Sequence, residues 1–143
     1  MYSFSFNTHP VNLNNCRIVN FRMKRITKTK EYLELESFIA SELKLKYSTL
    51  VERFNSVFCK EAHYLTVNWR FYIPNLLTKD KKTRVNMRSG DLSNIVKPIE
   101  DALFMHFTNA DDSHVIAMNI EKIQSKEYRV EVDIQIKAIE SIL

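Results

Sequence analysis

Glycine is almost absent from this 143-residue chain, which contains a single one, Gly90, directly before Asp91. Glycine lets the backbone turn with positive φ or approach a neighbour closely, so this position is a candidate for such a requirement. Cysteine is also scarce: Cys16 and Cys59 lie far apart and form no Cys-x-x-Cys pair. The sequence therefore predicts two reduced thiols in a cytosolic protein, rather than a disulfide or a zinc site.

Long apolar runs, linkers and repeats are missing as well. No apolar run approaches the roughly 20 residues that span a bilayer, and the first residues lack the charged start and apolar core of a signal peptide. With 45% apolar and 27% charged residues, the composition is that of a globular protein. We therefore expect a single domain over residues 1–143, in the cytoplasm and away from membranes.

Charge is distributed unevenly along the chain. Residues 1–90 carry 16 Lys or Arg and 7 Asp or Glu, whereas residues 91–143 carry 5 and 10, for a net charge of +4. A basic surface can hold phosphates, and an acidic patch repels them unless a cation intervenes. This combination suits an enzyme that acts on nucleic acid, although charge runs also serve simply to solvate a surface.

Hydrophobic periodicity predicts seven regular elements. Strands are expected at 2–6, 63–73, 114–123 and 128–138, and helices at 29–46, 49–59 and 94–107. Thr49 and Glu52 have the spacing of a capping box for the second helix. The short link at 125–127 predicts that the last two strands form a hairpin. This order favours an α+β fold with a single mixed β-sheet and helices packed on it.

Two basic segments are candidates for contacts with DNA. The first surrounds Phe21, and its candidates are Arg17, Arg22, Lys24, Arg25 and Lys28. Basic stretches with an aromatic residue stack bases in single-strand binders, but we expect Phe21 to lie in the core instead. The second is the loop 79–88, which is either solvated or in contact with phosphate. Its candidates are Lys81, Lys82, Arg84 and Arg88.

Several acids and one lysine lie within the 22 residues from 91 to 112. The polar residues of interest are Asp91, Asn94, Lys97, Asp101, Asp111 and Asp112. Neighbouring carboxylates repel each other unless a cation or a proton lies between them, and Mg²⁺ takes oxygen ligands of this kind. Taken alone, Lys97 and Asp101 form an ordinary i,i+4 ion pair on the predicted helix. Taken alone, Asp111 and Asp112 form an acidic turn of a common type.

This spacing resembles the signature of the RusA family of Holliday junction resolvases. The family has Asp-x-Asp-Asn, a lysine three residues after the Asn, an Asp-Ala-Leu on the following helix, and an Asp-Asp pair about ten residues later. The chain has these elements as Asp91-Leu-Ser93-Asn94, Lys97, Asp101-Ala102-Leu103 and Asp111-Asp112-Ser113. The match covers about a quarter of the chain. Ser93 departs from the signature, because the family usually has its second aspartate there.

The resemblance implies a RusA-like homodimer that binds four-way DNA junctions and nicks them in symmetric pairs with Mg²⁺ or Mn²⁺. It assigns catalysis to Asp91, Lys97 and Asp112. It assigns metal binding to Asp91, Asp111 and Asp112. It gives a supporting role to Ser93, Asn94 and Asp101. Because the family is frequent in phages, the protein is expected in a host cytoplasm if it is phage encoded.

Ser93 leaves two functions open. A serine hydroxyl is neutral and a weaker ligand than a carboxylate, so it should weaken cation binding and shift the preference toward Mn²⁺. Glu100 lies off the helix face shared by Asn94, Lys97 and Asp101, and is expected to be a poor substitute. The first function is a metal-dependent junction endonuclease. The alternative is a catalytically weakened relative that binds branched DNA, or a protein partner, without cutting.

Overall fold

The computed structural model describes residues 1–77, 84–86 and 89–143. Its six strands are β1 (Tyr2–Phe6), β2 (Arg17–Asn20), β3 (Arg25–Lys28), β4 (His63–Ile73), β5 (Val115–Gln124) and β6 (Arg129–Ala138). The three α-helices in the described ranges are α1 (Lys30–Lys46), α2 (Ser48–Val57) and α3 (Leu92–Phe104). Short 3₁₀ turns lie at Leu13–Asn15, Asp112–His114 and Ile139–Ile142. The predicted α+β class is confirmed.

The main sheet has four strands in the order β1-β6-β4-β5. β4 and β5 run parallel, whereas β6 runs antiparallel to both of its neighbours, so the predicted mixed sheet is confirmed. Parallel neighbours need a crossover connection, and α3 lies in the chain between β4 and β5. This connection brings the turn Asp112–His114, which precedes β5, into contact with Lys97 of α3.

The predicted hairpin of the last two strands is wrong, because β4 lies between β5 and β6. The link 125–128 passes the end of β4, where the Ser125 N–H donates to the Ile73 carbonyl at 3.2 Å. Four residues span up to about 13 Å, which is enough to cross one intervening strand at roughly 5 Å per strand. A short link is therefore compatible with either pairing.

Apolar periodicity places the core correctly. β4 buries every second residue, namely Leu65, Val67, Trp69, Phe71 and Ile73. α1 buries the predicted stripe of Tyr32, Leu35, Ile39 and Leu43. Thr29 begins α1, and its hydroxyl accepts a hydrogen bond from the Tyr32 N–H at 3.2 Å. One cluster of apolar side chains joins the main sheet to all three helices.

The predicted capping box of α2 is wrong. α2 is capped by Tyr47, without a hydrogen bond from a capping side chain, because α1 leads into α2 through this single residue. Thr49 therefore lies inside the first turn rather than before it. The Tyr47 hydroxyl instead reaches β1, where it lies 3.0 Å from the backbone nitrogen and 3.1 Å from the carbonyl oxygen of Ser5.

A second sheet, not predicted from the sequence, consists of β2 and β3 in an antiparallel hairpin. The hairpin exposes its apolar residues as well as its cations, and Phe21 in the connecting turn is 86% exposed. The prediction that Phe21 lies in the core is therefore wrong. Lys24, in the same turn, has a positive φ of 52°.

Both cysteines are free thiols: Cys16 is buried and Cys59 is exposed. Across the described ranges, none of the helices combines the length and the apolar character needed to cross a membrane.

Candidate active site

Asp91 is positioned by the glycine before it. Gly90 has φ +93°, and a Cβ atom there would lie 2.7 Å from Cγ2 of Ile95. Both the backbone conformation and the lack of space therefore favour glycine. Asp91 follows as the N-cap residue of α3, and its exposed carboxylate makes no capping hydrogen bond. That carboxylate is therefore accessible to solvent or to a ligand.

Lys122 of β5 holds the segment before Asp91, and the sequence interpretation missed it. Its Nζ donates to the Gly90 carbonyl oxygen at 2.7 Å and lies 2.8 Å from Oγ of Ser89. The start of α3 is thereby tied to the strand that is parallel to β4. In the sequence, Lys122 is one polar residue of a strand pattern, so no local signal could have identified it.

Lys97 contacts acidic side chains of α3 and of the turn Asp112–His114 that follows it. Its Nζ lies 2.9 Å from Oδ1 of Asp101 and 3.7 Å from Oε1 of Glu100, and it also contacts Oδ2 of Asp112. The structure therefore brings together Lys97, Asp101 and Asp112, which the sequence analysis named.

The pKa of Lys97 reflects two opposing effects. Partial burial alone would lower it, but hydrogen bonds to Asp112 and Asp101 outweigh burial and raise the pKa above its ordinary value. Lys97 therefore carries a positive charge throughout the neutral range. This charge is fixed at the centre of the acidic group.

Glu100 is also part of this group, contrary to the prediction that it lies off the relevant face. Oxygen atoms of Glu100, Asp101 and Asp112 lie within 4.8 Å of one another. Residues i+3 and i+4 both neighbour position i on a helix, so the long side chain of Lys97 reaches Glu100 and Asp101 alike. An argument from the direction of each Cβ atom alone could not include this reach.

The Glu100 carboxyl is unusual in its environment. Its side chain is only 7% exposed, and Oε2 has no hydrogen-bond partner among the described residues. Burial raises the pKa of Glu100 to about 7, with Asp112 and Asp101 adding to the effect and Lys97 opposing it. This acid therefore has unused capacity for a proton or a cation.

Asp111 lies outside the Lys97 group. Its carboxylate accepts hydrogen bonds from the N–H and the hydroxyl of Ser113, and its own N–H donates to Nδ1 of His114 at 3.0 Å. These hydrogen bonds from Ser113 lower the pKa of Asp111. Asp111 caps the turn Asp112–His114 and so orients Asp112. Its predicted role as a metal ligand stays a prediction, as does that of Asp91.

The two supporting positions at the start of α3 make fewer contacts. Ser93 is exposed and Asn94 is half-buried, and the Asn94 N–H donates to the Asp91 carbonyl oxygen at 3.0 Å. Ser93 therefore faces solvent near Asp91, where an added carboxylate would have room.

The predicted DNA-binding residues lie in different environments. Arg22, Lys24 and Arg25 lie exposed at the hairpin turn, without an ion pair to any residue in the described part of the chain. Lys28 instead pairs with Glu36 at 2.9 Å. In the second segment Arg84 is exposed. Lys81, Lys82 and Arg88 lie outside the described residues.

The hairpin begins beside the acidic group. Arg17, the first residue of β2, lines one small cavity together with Asp101 and Pro98 of α3. The start of the basic hairpin therefore lies beside Asp101 of the group around Lys97, an arrangement that suits phosphate binding next to a cation site.

Comparison with known proteins identifies the family of the chain. No curated protein matches the chain. A family model described as Endodeoxyribonuclease RusA matches residues 7–135, which include β2 and β3, all of α3 and the turn that contains Asp112. The matched span covers most of the sequence, and the chain belongs to the RusA family of endodeoxyribonucleases.

Proposed function

We propose that this protein is a divalent-cation-dependent endodeoxyribonuclease that resolves four-way DNA junctions by paired nicks. Membership of the RusA family implies the nuclease activity of a Holliday junction resolvase. One observation carries the proposal for this particular chain: acids from α3 and from the following turn meet around Lys97. Such a set of hard oxygen atoms suits a cation such as Mg²⁺ or Mn²⁺.

The cation would supply Lewis-acid chemistry, polarising the scissile phosphate and activating water. Asp112 is the proposed central ligand, with Asp91 and Asp111 as the further ligands implied by the family. Oε2 of Glu100 supports the fit, because this buried oxygen has no hydrogen-bond partner within the described ranges and could accept a cation. Lys97, charged at neutral pH, would offset the negative charge that develops on the phosphate.

The proposed substrate surface is the hairpin of β2 and β3 together with the start of α3. Its cations would neutralise phosphates, while the acids remain restricted to the site of cleavage. A homodimer would present two such sites, and its two-fold symmetry would match that of a four-way junction. Paired nicks on two strands follow from that arrangement.

Cleavage of a labelled four-way junction by purified protein, with Mg²⁺, Mn²⁺ or EDTA, tests this function. The wild type should cut in either metal and not in EDTA. Asp112→Asn and Asp91→Asn should slow single-turnover cleavage by at least about 100-fold, because each removes a negatively charged ligand. Junction binding should be retained or tighter, because a carboxylate also repels phosphate.

Glu121→Gln is the matched control, since Glu121 lies exposed on β5. It should cleave at the wild-type rate. Unchanged cleavage by both Asp112→Asn and Asp91→Asn would exclude the proposed metal site.

A second candidate function is binding of branched DNA without cleavage. Two observations favour this candidate. Ser93 replaces a family carboxylate, and Lys97 already forms ion pairs with Asp101 and Asp112. Tight junction binding without cleavage in Mg²⁺ or Mn²⁺ would support this candidate and exclude the nuclease.

A further inference from the structure

The group around Lys97 has more acids than one lysine can neutralise. Glu100, Asp101 and Asp112 supply up to three negative charges, and Lys97 supplies one positive charge within contact distance. Carboxylates whose oxygen atoms lie within 4.8 Å repel one another strongly when all are ionised. One lysine against up to three carboxylates leaves this group short of positive charge.

Glu100 is the buried acid of this group. Its side chain is more than nine-tenths buried, one of its oxygens lies among those of Asp101 and Asp112, and Oε2 lacks a hydrogen-bond partner in the described ranges. A buried carboxylate oxygen without a donor is costly, and such groups normally pair or coordinate metals. Asp101 and Asp112, by contrast, are about two-fifths exposed and can be hydrated.

We propose that Glu100 binds the cation together with Asp101 and Asp112. Glu100 thereby supplies the carboxylate that is missing at Ser93. Position 100 is seven residues after position 93, two helical turns further along the same side of α3 and about 10 Å along its axis. Lys97 lies between the two positions. The inference rests on the proposed cation-dependent nuclease, and assigns a different residue to its metal site.

Lys97 acquires a second role in this arrangement. In the structure its ammonium is the cation of the acidic group. A divalent cation bound by the same acids competes with that ammonium, so Lys97 is released as the cation is bound. Its long, flexible side chain then carries a point charge that is available to a phosphate. Cation affinity should therefore depend on both the three acids and the lysine that competes for them.

Titration of the protein with Mn²⁺, followed by the electron paramagnetic resonance signal of the free ion, tests this assignment without relying on activity. Glu100→Gln keeps the size and removes the charge. It should weaken Mn²⁺ binding by at least about tenfold, the lower end of the range for loss of groups that merely support metal ligands. Asp101→Asn and Asp112→Asn should also weaken binding, and the control Glu121→Gln should leave it unchanged.

The outcomes separate this inference from the proposed function. Wild-type affinity in Glu100→Gln, with weak binding in Asp112→Asn, would overturn the role of Glu100 and leave the nuclease proposal intact. Absence of Mn²⁺ binding by the wild type, together with absence of cleavage, would overturn both. Circular dichroism and thermal unfolding establish that each variant is folded. If Glu100→Gln does not fold, Asp101→Asn decides: wild-type affinity there overturns the assignment.

Discussion

Lys97 and Asp112 are 15 residues apart and in direct contact, with Asp101 at 2.9 Å from the same ammonium group. The contact joins α3 to the turn that leads into β5. It places the ammonium group of Lys97 where the proposed nuclease would bind a divalent cation. We therefore expect the two cations to compete for the same acids.

Replacing Lys97 with methionine should separate metal binding from catalysis. Lys97→Met removes the competing ammonium, so Mn²⁺ should bind more tightly than to the wild type. Single-turnover cleavage should nevertheless fall by about 100-fold or more, because the charge that offsets the phosphate is removed. Lys126→Met, at an exposed position of the link before β6, is the matched control. Weaker Mn²⁺ binding in Lys97→Met would contradict the competition.

Restoring the family carboxylate at position 93 should strengthen the site. Ser93→Asp adds a hard, charged oxygen near Asp91, so cation affinity should rise and single-turnover cleavage should become faster. The gain should be largest in Mg²⁺, which dehydrates reluctantly and needs well-placed ligands. The same change should recover part of the Mn²⁺ affinity that Glu100→Gln removes. A fast wild type that slows on substitution would show that the Ser93 hydroxyl is already a functional part of the site.

The hairpin turn should contribute to junction binding by charge and by stacking. Charge reversal of Arg22, Lys24 and Arg25 should weaken binding and reduce its salt dependence by about one unit of slope for each phosphate that is no longer neutralised. Phe21→Ala should cost about 1–3 kcal/mol of binding free energy if the ring stacks on a base. Titration of a labelled junction at several salt concentrations measures both effects.

Met23→Ala is the control for Phe21, since it removes another exposed apolar side chain of the same turn. Thermal unfolding should be unchanged in all of these variants, because the altered side chains lie outside the core. Wild-type affinity and salt slope in both the triple variant and Phe21→Ala would place the DNA-binding surface elsewhere.

Asp133 should make the sheet sensitive to acid. Its carboxylate accepts hydrogen bonds from Arg70 on β4 at 2.8 Å and from Ser3 on β1 at 2.7 Å, and the bond from Arg70 lowers its pKa. A lowered pKa stabilises the folded state above the unfolded value of about 4, and this contribution is lost as pH falls. Asp133→Asn should therefore reduce the free energy of unfolding by about 1–3 kcal/mol at pH 7.

The difference between the wild type and Asp133→Asn should shrink as the pH falls toward 3. Urea unfolding at pH 7, 5 and 3 measures it, and Glu127→Gln, an exposed acid in the link before β6, is the control. A difference that stays constant over this range would show that the Asp133 charge does not stabilise the sheet.

The sequence predicts β4 and α1 well because burial of one face places apolar residues at regular intervals in the sequence. The apolar residues of β4 recur at every second position, and those of α1 recur at helical spacing. The hairpin has no such pattern: Ile18, Val19 and Ile26 are more than half exposed, so its strands are not defined by burial. Propensity and alternation therefore gave no basis for expecting a second sheet.

Contacts between distant parts of the chain were the features of the site that the sequence did not predict. The motif identified Lys97, Asp101 and Asp112, but not that Asp111 would cap a turn, nor that Lys122 would hold Gly90 from another strand. Glu100 was expected to be a poor substitute for the missing carboxylate because helical-face arguments describe where side chains start and not how far a lysine reaches. Each of these depends on tertiary geometry that no local pattern records.

The interior position of β6 has a consequence for how the protein is made. Among the described strands β1 pairs only with β6, and the Ser3–Asp133 hydrogen bond closes a separation of 130 residues. A ribosome adds roughly 5–20 residues each second, so β1 spends about 6–25 s without its partner during synthesis. For that time Tyr2, Phe4 and Phe6, which are buried in the folded protein, lack the strand that pairs with β1. We therefore expect chaperones to bind the nascent chain before β6 has been synthesised.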